Sequence, residues 1–270
     1  MVGPAVAFTG TGARLGGHAH DFIGAHIYKH NQPIVSWNWE DKLQELRTAY
    51  ASPQPIYMTE MGQNTRIGGI GSSERAQMKM TTQLVATHFR FRSEFDEDWI
   101  RKAYLHQLMD ESSDPVDENG SWGLVRADGL PKPAFTALRR MIALLREGAW
   151  DPGTGRWNVP AFEPSPLSYD LPNPDIGGGR RIERRLLQKS DGDWYLLLWL
   201  DADIWDEDRG RDLETERTET LRLPGRFDVV QHRFDEEGNL PATTIGTDVE
   251  AVRVTIPDSV TVLRIRLRAR

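Results

Sequence analysis

Residues 55–62 read Pro55-Ile56-Tyr57-Met58-Thr59-Glu60-Met61-Gly62. The apolar run from Pro55 to Thr59 is short, follows a proline-rich turn and stops before Gly62. Those are the marks of a buried β-strand. Glu60 stands at its C-terminal end. In a parallel sheet, ligands bind at the carboxyl ends of the strands, and in a (β/α) barrel the catalytic groups sit there. A carboxylate in that position is costly to bury unless it is paired or functional. A helix cap or a salt-bridged acid explains the same spacing, so the residue alone leaves both readings open.

The flanking segments set the context for that strand. Asp21–Tyr28 (DFIGAHIY) reads as another buried strand, and Glu40–Ala51 as a helix with Leu43, Leu46, Ala49 and Tyr50 on one face. Ser72–Phe89 opens with a Ser-Ser-Glu cap and continues as a long helix. Trp99–Leu108 reads as a third strand, although its length also fits a helix. Lys132–Arg146 is the clearest helix, with Pro133 in its first turn and an apolar stripe of Phe135, Leu138, Ile142 and Leu145. Strand–helix alternation of this kind predicts a parallel sheet with helices outside.

Several side chains near the strand ends are candidates for chemistry. His26 and Tyr28 project to one side by the two-residue period of a strand, placed to orient a sugar hydroxyl or a neighbouring carboxylate. Trp37, Trp39 and Trp122 offer indole faces for stacking, although a packed tryptophan fits the same sequence. Asn64 follows Glu60 closely, and Asp110 and Glu111 close the third apolar run.

Residues 149–168 form a proline- and glycine-rich linker, and the texture changes beyond it. Runs at 185–189, 194–200, 219–223, 227–232, 251–256 and 260–267 read as strands separated by turns such as Ser190-Asp191-Gly192-Asp193 and Glu237-Gly238-Asn239. Short strands without helices predict an antiparallel β-sandwich. The acidic stretch Asp201–Glu219 reads as a solvated connection. The expected organisation is residues 1–148, a linker at 149–168, and 169–270.

With 270 residues and 39% hydrophobic content, the chain can bury a core, which excludes wholesale disorder. Its 33 basic and 40 acidic residues give a net charge of −7 without a basic stripe, so a nucleic-acid partner is not expected. The arginines at 180, 181, 184 and 185 read as the rim of a strand. No apolar run is long enough to span a bilayer. There is no cysteine, which removes thiol nucleophiles and sulfur-ligated zinc. The N-terminal MVGPAVAF lacks the pattern of a signal peptide, and the compartment stays unassigned.

Together these segments resemble a known family. His26-Ile27-Tyr28, then Thr59-Glu60-Met61-Gly62, then Trp122-Gly123-Leu124-Val125, Asp128-Gly129 and Lys132-Pro133-Ala134 look like the second half of a retaining glycoside hydrolase of the large (β/α)8 clan. The resemblance covers roughly residues 18–146. It implies a partial (β/α)8 barrel, about strands five or six to eight, followed by an accessory β-sandwich. It also implies Glu60 as the nucleophile, Tyr28 as a hydrogen-bond donor to Glu60, and His26 as a contact to a substrate hydroxyl. A carbohydrate substrate follows, with no cofactor and no metal.

One departure from the family pattern matters. Retaining hydrolysis needs a second carboxyl group about 5–5.5 Å from the nucleophile. The clan's acid/base glutamate follows an asparagine, and this sequence contains no Asn-Glu dipeptide. Gly3-Pro4-Ala5 resembles the fifth strand, so the first four strands are expected in a preceding segment or a partner chain. Two other functions are compatible with the residues. One is a non-catalytic carbohydrate-binding protein descended from a glycosidase. The other is a metal-dependent hydrolase built on His18 and His20, with His26 and His30 nearby.

Overall fold

The computed structural model describes residues 2–7, 22–26, 28, 45, 55–66, 68, 71–93, 100–117, 120–172 and 181–268. Trp37, Trp39, His18, His20 and His30 lie outside the described residues, as does the helix expected over 40–51 apart from Glu45. The chain divides into two compact units. The first holds residues 1–135 and 201–213, the second residues 136–200 and 214–270.

The first unit is built on a four-stranded parallel sheet in chain order: β1 (Val2–Ala7), β2 (Phe22–His26), β3 (Ile56–Met61) and β4 (Ile100–Leu105). Parallel neighbours need a crossover, and helix α1 (Glu74–Ser93) supplies the one between β3 and β4. Ala25, Ile56 and Met58 are fully buried, so the two central strands carry the core. Strand β4 differs: Ile100 is buried while residues 101–104 are exposed, as befits an edge.

Helix α1 begins at a cap legible in the sequence. Ser73 Oγ accepts the Ala76 N–H at 2.9 Å. The body of α1 departs from an amphipathic pattern, because residues 76–84 are buried all round. Its polar side chains are therefore bonded. The Gln77 amide donates to the Gln63 and Gly123 carbonyls at 2.8 and 3.1 Å. The fully buried Lys79 ammonium donates to the Leu213 carbonyl at 2.7 Å. Ser73 Oγ donates to Asp212 at 2.5 Å. These last partners belong to the acidic stretch expected to be solvated. Instead, β9 (Trp205–Asp206) and β10 (Arg211–Asp212) pair as a small hairpin, and its last residue, Asp212, and the following Leu213 are fastened to α1.

Helix α2 (Pro133–Leu145) starts at Pro133, as its sequence predicts. Its buried face is Ala134, Ala137 and Met141, one residue off the expected stripe, and Ile142 is exposed. Alanines let a helix approach a neighbouring surface closely, so small residues define the buried face and the larger ones flank it.

The second unit contains a five-stranded antiparallel sheet in the order β12-β11-β13-β8-β7. Its strands are β7 (Ile182–Gln188), β8 (Trp194–Leu200), β11 (Glu216–Arg233), β12 (Ala242–Pro257) and β13 (Thr261–Leu267). All seven residues of β8 are buried, so both of its faces are covered. The runs at 219–223 and 227–232 form one strand, β11, because a register shift between Arg222 and Phe227 carries the chain through Pro224 and Gly225 without a turn. The segment expected as a plain linker contains a second hairpin, β5 (Ala149–Asp151) with β6 (Arg156–Asn158). The turn at 190–193 is as read: Gly192 takes a φ of 85°, and Asp191 accepts the Asp193 N–H at 3.0 Å. Asp193 in turn accepts from Arg264 and Arg266 on β13 at 2.5–2.8 Å. Among the described residues, no helix is long and apolar enough to cross a membrane.

Candidate active site

Strands β2 and β3 pair so that His26 stands beside Glu60 at their carboxyl ends. The Thr59 hydroxyl donates to the Ala25 carbonyl at 3.1 Å and ties the two strands together just before those residues. Tyr28 Oη donates to Glu60 Oε2 at 2.7 Å, and His26 Nδ1 lies 3.3 Å from the same oxygen. Both contacts converge on Oε2. Oε1 has no protein partner among the described residues. The Glu60 side chain is 36% exposed.

Burial, reinforced by the Glu60 carboxylate, pushes the Tyr28 phenol far above its ordinary range. Tyr28 is therefore a fixed proton donor, and the hydrogen bond locks the carboxylate's rotation.

Two rings pack around Tyr28. Trp122 meets it edge to face at 4.9 Å, and His106 does so at 6.4 Å. His106 and Trp122 lie 6.0 Å apart. His106 is placed by the backbone: its N–H donates to the Met61 carbonyl at 2.8 Å, and the next N–H, of Gln107, reaches the Trp122 carbonyl at 3.1 Å. Gly62 makes that approach possible, since a Cβ there would fall 2.3 Å from the His106 carbonyl oxygen. The glycine after Thr-Glu-Met is thus a steric requirement of the strand ends.

His106 was not among the residues the sequence marks. By its apolar pattern the third run extends to Leu108, and the carboxylates that close it are Asp110 and Glu111. Strand β4 ends at Leu105, and the carboxyl-end rule that marks Glu60 then points to His106.

Asn64 and Asp110 are built into the loops around this centre. Asn64 is wholly buried, and its Oδ1 accepts the Arg66 N–H at 2.6 Å in an Asx turn. Asp110 Oδ1 accepts from the Gly123 N–H at 2.7 Å and from the buried Lys132 ammonium at 2.9 Å. Lys132 also donates to Thr65 Oγ1 at 2.9 Å. The resemblance motif Lys132-Pro133-Ala134 thus acts as a staple joining three loops. Arg126 forms a bidentate pair with Glu74 at the start of α1, at 2.6 and 2.7 Å. A polar cavity of about 300 Å³ opens between Thr65, Asp110, Ser121, Arg126 and Lys132. Among the described residues, no group of three His, Asp or Glu side chains is arranged to hold a metal ion.

No protein-family model matches the sequence, and no curated protein matches it. Solved structures do. The thermostable GH51 α-L-arabinofuranosidase from Thermotoga petrophila RKU-1 is similar at 11% identity, over 92% of this chain and 53% of that one, with a TM-score of 0.52. A structure described as an arabinofuranosidase gives 13% identity, 92% and 53% coverage, and the same TM-score of 0.52. The chain spans about half the length of these structures. At such identities the likeness concerns the fold alone, and that fold is one found in glycoside hydrolases.

Proposed function

We propose that this chain is the C-terminal part of a (β/α)8 glycosidase barrel with an appended β-sandwich, and that it takes part in retaining hydrolysis of O-glycosidic bonds with Glu60 as nucleophile. One observation carries the reading. Glu60, at the carboxyl end of a parallel strand, has Oε2 beside Tyr28 and His26, while Oε1 takes no bond from the described residues and the side chain is 36% exposed. A nucleophilic carboxylate needs that division between an oriented oxygen and a free one.

In the first step Oε1 attacks the anomeric carbon, forming an ester bond as the glycosidic C–O bond breaks and the leaving oxygen takes a proton. Tyr28 stays protonated throughout and steadies the charge that Glu60 gives up and regains. His26 contacts a substrate hydroxyl, and Trp122 presents a stacking face beside Tyr28. Water then cleaves the ester and releases the sugar. The proton for the leaving group comes from a second carboxylic acid, which we place in a further part of the barrel. By itself the chain does not turn over ordinary glycosides.

The test removes the need for that acid. Fluoride leaves without protonation, so 2-deoxy-2-fluoroglycosyl fluorides of glucose, xylose and arabinofuranose should ester-link to Glu60. Intact mass and peptide mapping read the adduct, and Glu60→Gln should abolish it. An adduct on another carboxylate would move the nucleophile. Sugar binding without any adduct would favour a carbohydrate-binding protein.

A further inference from the structure

Between the loops that follow β3 and β4, the first unit holds a polar cavity of about 300 Å³, at the small end of the range for ligand pockets and with room for one sugar ring. A buried ion pair in its lining uses only part of its hydrogen-bonding capacity. Lys132, 1% exposed, has three N–H donors. Two are spent on Asp110 Oδ1 and Thr65 Oγ1, each at 2.9 Å. Asp110, 9% exposed, spends Oδ1 on Lys132 and on the Gly123 N–H. The third Lys132 N–H and Asp110 Oδ2 bond to no described residue. Ser121 is 6% exposed and lines the same cavity, and its hydroxyl also bonds to no described residue. Ser112 keeps its hydroxyl hydrogen, because Oγ only accepts, from the Asp114 N–H. Buried polar groups are ordinarily paired. The loop staple accounts for the bonded half of the Asp110–Lys132 pair and leaves the other half open.

The charges around the cavity select the class of ligand. Glu74, Asp110, Asp114 and Asp128 set four carboxylates against the two cations Lys132 and Arg126, a net charge of −2, which repels an anion. A cationic ligand reaching Asp110 would meet the Lys132 ammonium 2.9 Å from that carboxylate. An apolar ligand would strand the ammonium, carboxylate and hydroxyl groups without hydrogen bonds. A neutral polyol fits. In a vicinal diol each hydroxyl both donates and accepts. One can therefore donate to Asp110 Oδ2 while its neighbour accepts from Lys132 Nζ, and both bonds are charge-assisted. Further hydroxyls of the ring meet Ser121 and Ser112, whose own hydroxyls rotate to suit them.

We propose that this cavity binds one neutral sugar unit, its vicinal diol clamped by Asp110 and Lys132 and its further hydroxyls bonded by Ser121 and Ser112. Among the described residues no aromatic side chain lines the cavity. Hydrogen bonds therefore govern the binding in place of stacking, and a ring stripped of its O–H groups is rejected. The unit is either a free monosaccharide or a single-sugar branch of a polysaccharide, which share this chemistry. All of these residues lie in the first unit, and the site does not depend on the reading of Glu60.

Amide-resolved NMR titrations of the full chain with methyl β-xyloside, methyl α-arabinofuranoside and methyl β-glucoside test this. At least one should shift the Ser112, Asp114 and Ser121 amides to saturation, and its per-O-methylated derivative should not. Ser113 lines the cavity at an exposed position with no described bond, so Ser113→Trp should fill the space and abolish the shifts. Ser121→Ala should raise the Kd about two- to tenfold, the effect of one neutral hydrogen bond. Asp110→Asn, which turns the Oδ2 acceptor into a donor, should raise it tenfold or more. Urea midpoints separate lost binding from lost folding, and those of Ser113→Trp and Ser121→Ala should match wild type. Glu60→Gln and His26→Ala should bind as wild type at these amides. The proposal is overturned if no glycoside shifts them, which leaves the cavity to ordered water. It is also overturned if folded Ser113→Trp and Ser121→Ala both titrate as wild type, or if the per-O-methylated glycoside binds equally. Shifts confined to the His26 and Glu60 amides would overturn it too and place the sugar at the Glu60 site. Displacement of the glycoside by arabinoxylan identifies a polymer branch as the source, and no displacement a free sugar; both outcomes support the site. Covalent labelling at Glu60 proceeds in Ser113→Trp whether or not the cavity binds, so the two readings fail separately.

Discussion

Replacing Gly62 by alanine is the sharpest perturbation of the candidate site. The added Cβ would lie 2.3 Å from the His106 carbonyl oxygen, whereas carbon–oxygen contacts settle at about 3.3 Å or more. The end of β4 must therefore move by about 1 Å. Overpacking of this kind costs roughly 1–3 kcal/mol, and the adjacent hydrogen bond from His106 N–H to Met61 contributes about 1 kcal/mol more when it breaks. A total near 3 kcal/mol corresponds to roughly 100-fold faster amide exchange at His106. Hydrogen exchange read by mass spectrometry on peptides covering 56–66 and 100–110 measures it. Gly129→Ala is the control: Gly129 has a φ of 85° and open space around its Cβ position, so alanine there costs only its left-handed strain, about 1–2 kcal/mol, and leaves His106 exchange unchanged. Because His106 packs against Tyr28 and Trp122, Gly62→Ala should also slow labelling of Glu60 beyond any effect of Gly129→Ala. Exchange at His106 within twofold of wild type would refute the close approach and the steric reason for this glycine.

Further outcomes follow from neighbouring groups. Tyr28→Phe removes a charge-assisted hydrogen bond of about 1.5–3 kcal/mol and should slow Glu60 labelling about 10- to 100-fold with little loss of stability, as timed intact-mass spectra will show. Lys132→Met leaves the Asp110 carboxylate buried without its partner and should cost about 3–5 kcal/mol in urea unfolding, while adding Asp110→Asn should recover part of the loss. Burial lowers the His88 imidazole to about 4, against a smaller opposing effect of the Leu84 carbonyl. Its contribution to stability is present above the unfolded histidine value of about 6.5 and is lost as pH falls from there toward 4. His88→Gln should flatten the fall of the urea midpoint across that window. For Asp193, burial raises the carboxyl and the Arg266 and Arg264 guanidiniums outweigh it, leaving it below the usual carboxylate range. That stability is present above about pH 4 and lost as pH falls through the folded value, so Asp193→Asn should lose less stability than wild type on acidification below pH 4.

What the sequence discloses follows from how local each signal is. Strand β3, the Ser73 cap and the turn at 190–193 depend on neighbours within a few residues, and each is written in the chain. Helix α1 is different. Its Gln77 and Lys79 have the composition of a surface helix, yet both are buried because partners 14 to 134 residues away satisfy them. Periodicity carries no trace of such partners. Strand β11 reads as two pieces in sequence because Pro224 and Gly225 normally punctuate, and the pairing with β12 on both sides of them shows the chain running through. His106 illustrates a strand boundary with a functional consequence: the apolar pattern runs three residues past the end of β4 at Leu105 and points to Asp110, whose carboxylate staples loops together, and so passes over the ring beside Tyr28.

The fastening of residues 212 and 213 to α1 bears on how the protein is made. The first unit is discontinuous in the gene: Ser73 and Lys79 emerge from the ribosome early, but Asp212 and Leu213 follow only after residues 136–200 have been synthesised. Until then the nascent first unit lacks the Leu213 carbonyl to which Lys79 donates and the Asp212 carboxylate to which Ser73 donates. For the same reason, expressing residues 1–148 alone, or cutting the chain between 149 and 168, would not yield a finished first unit, because its last segment lies on the far side of the cut.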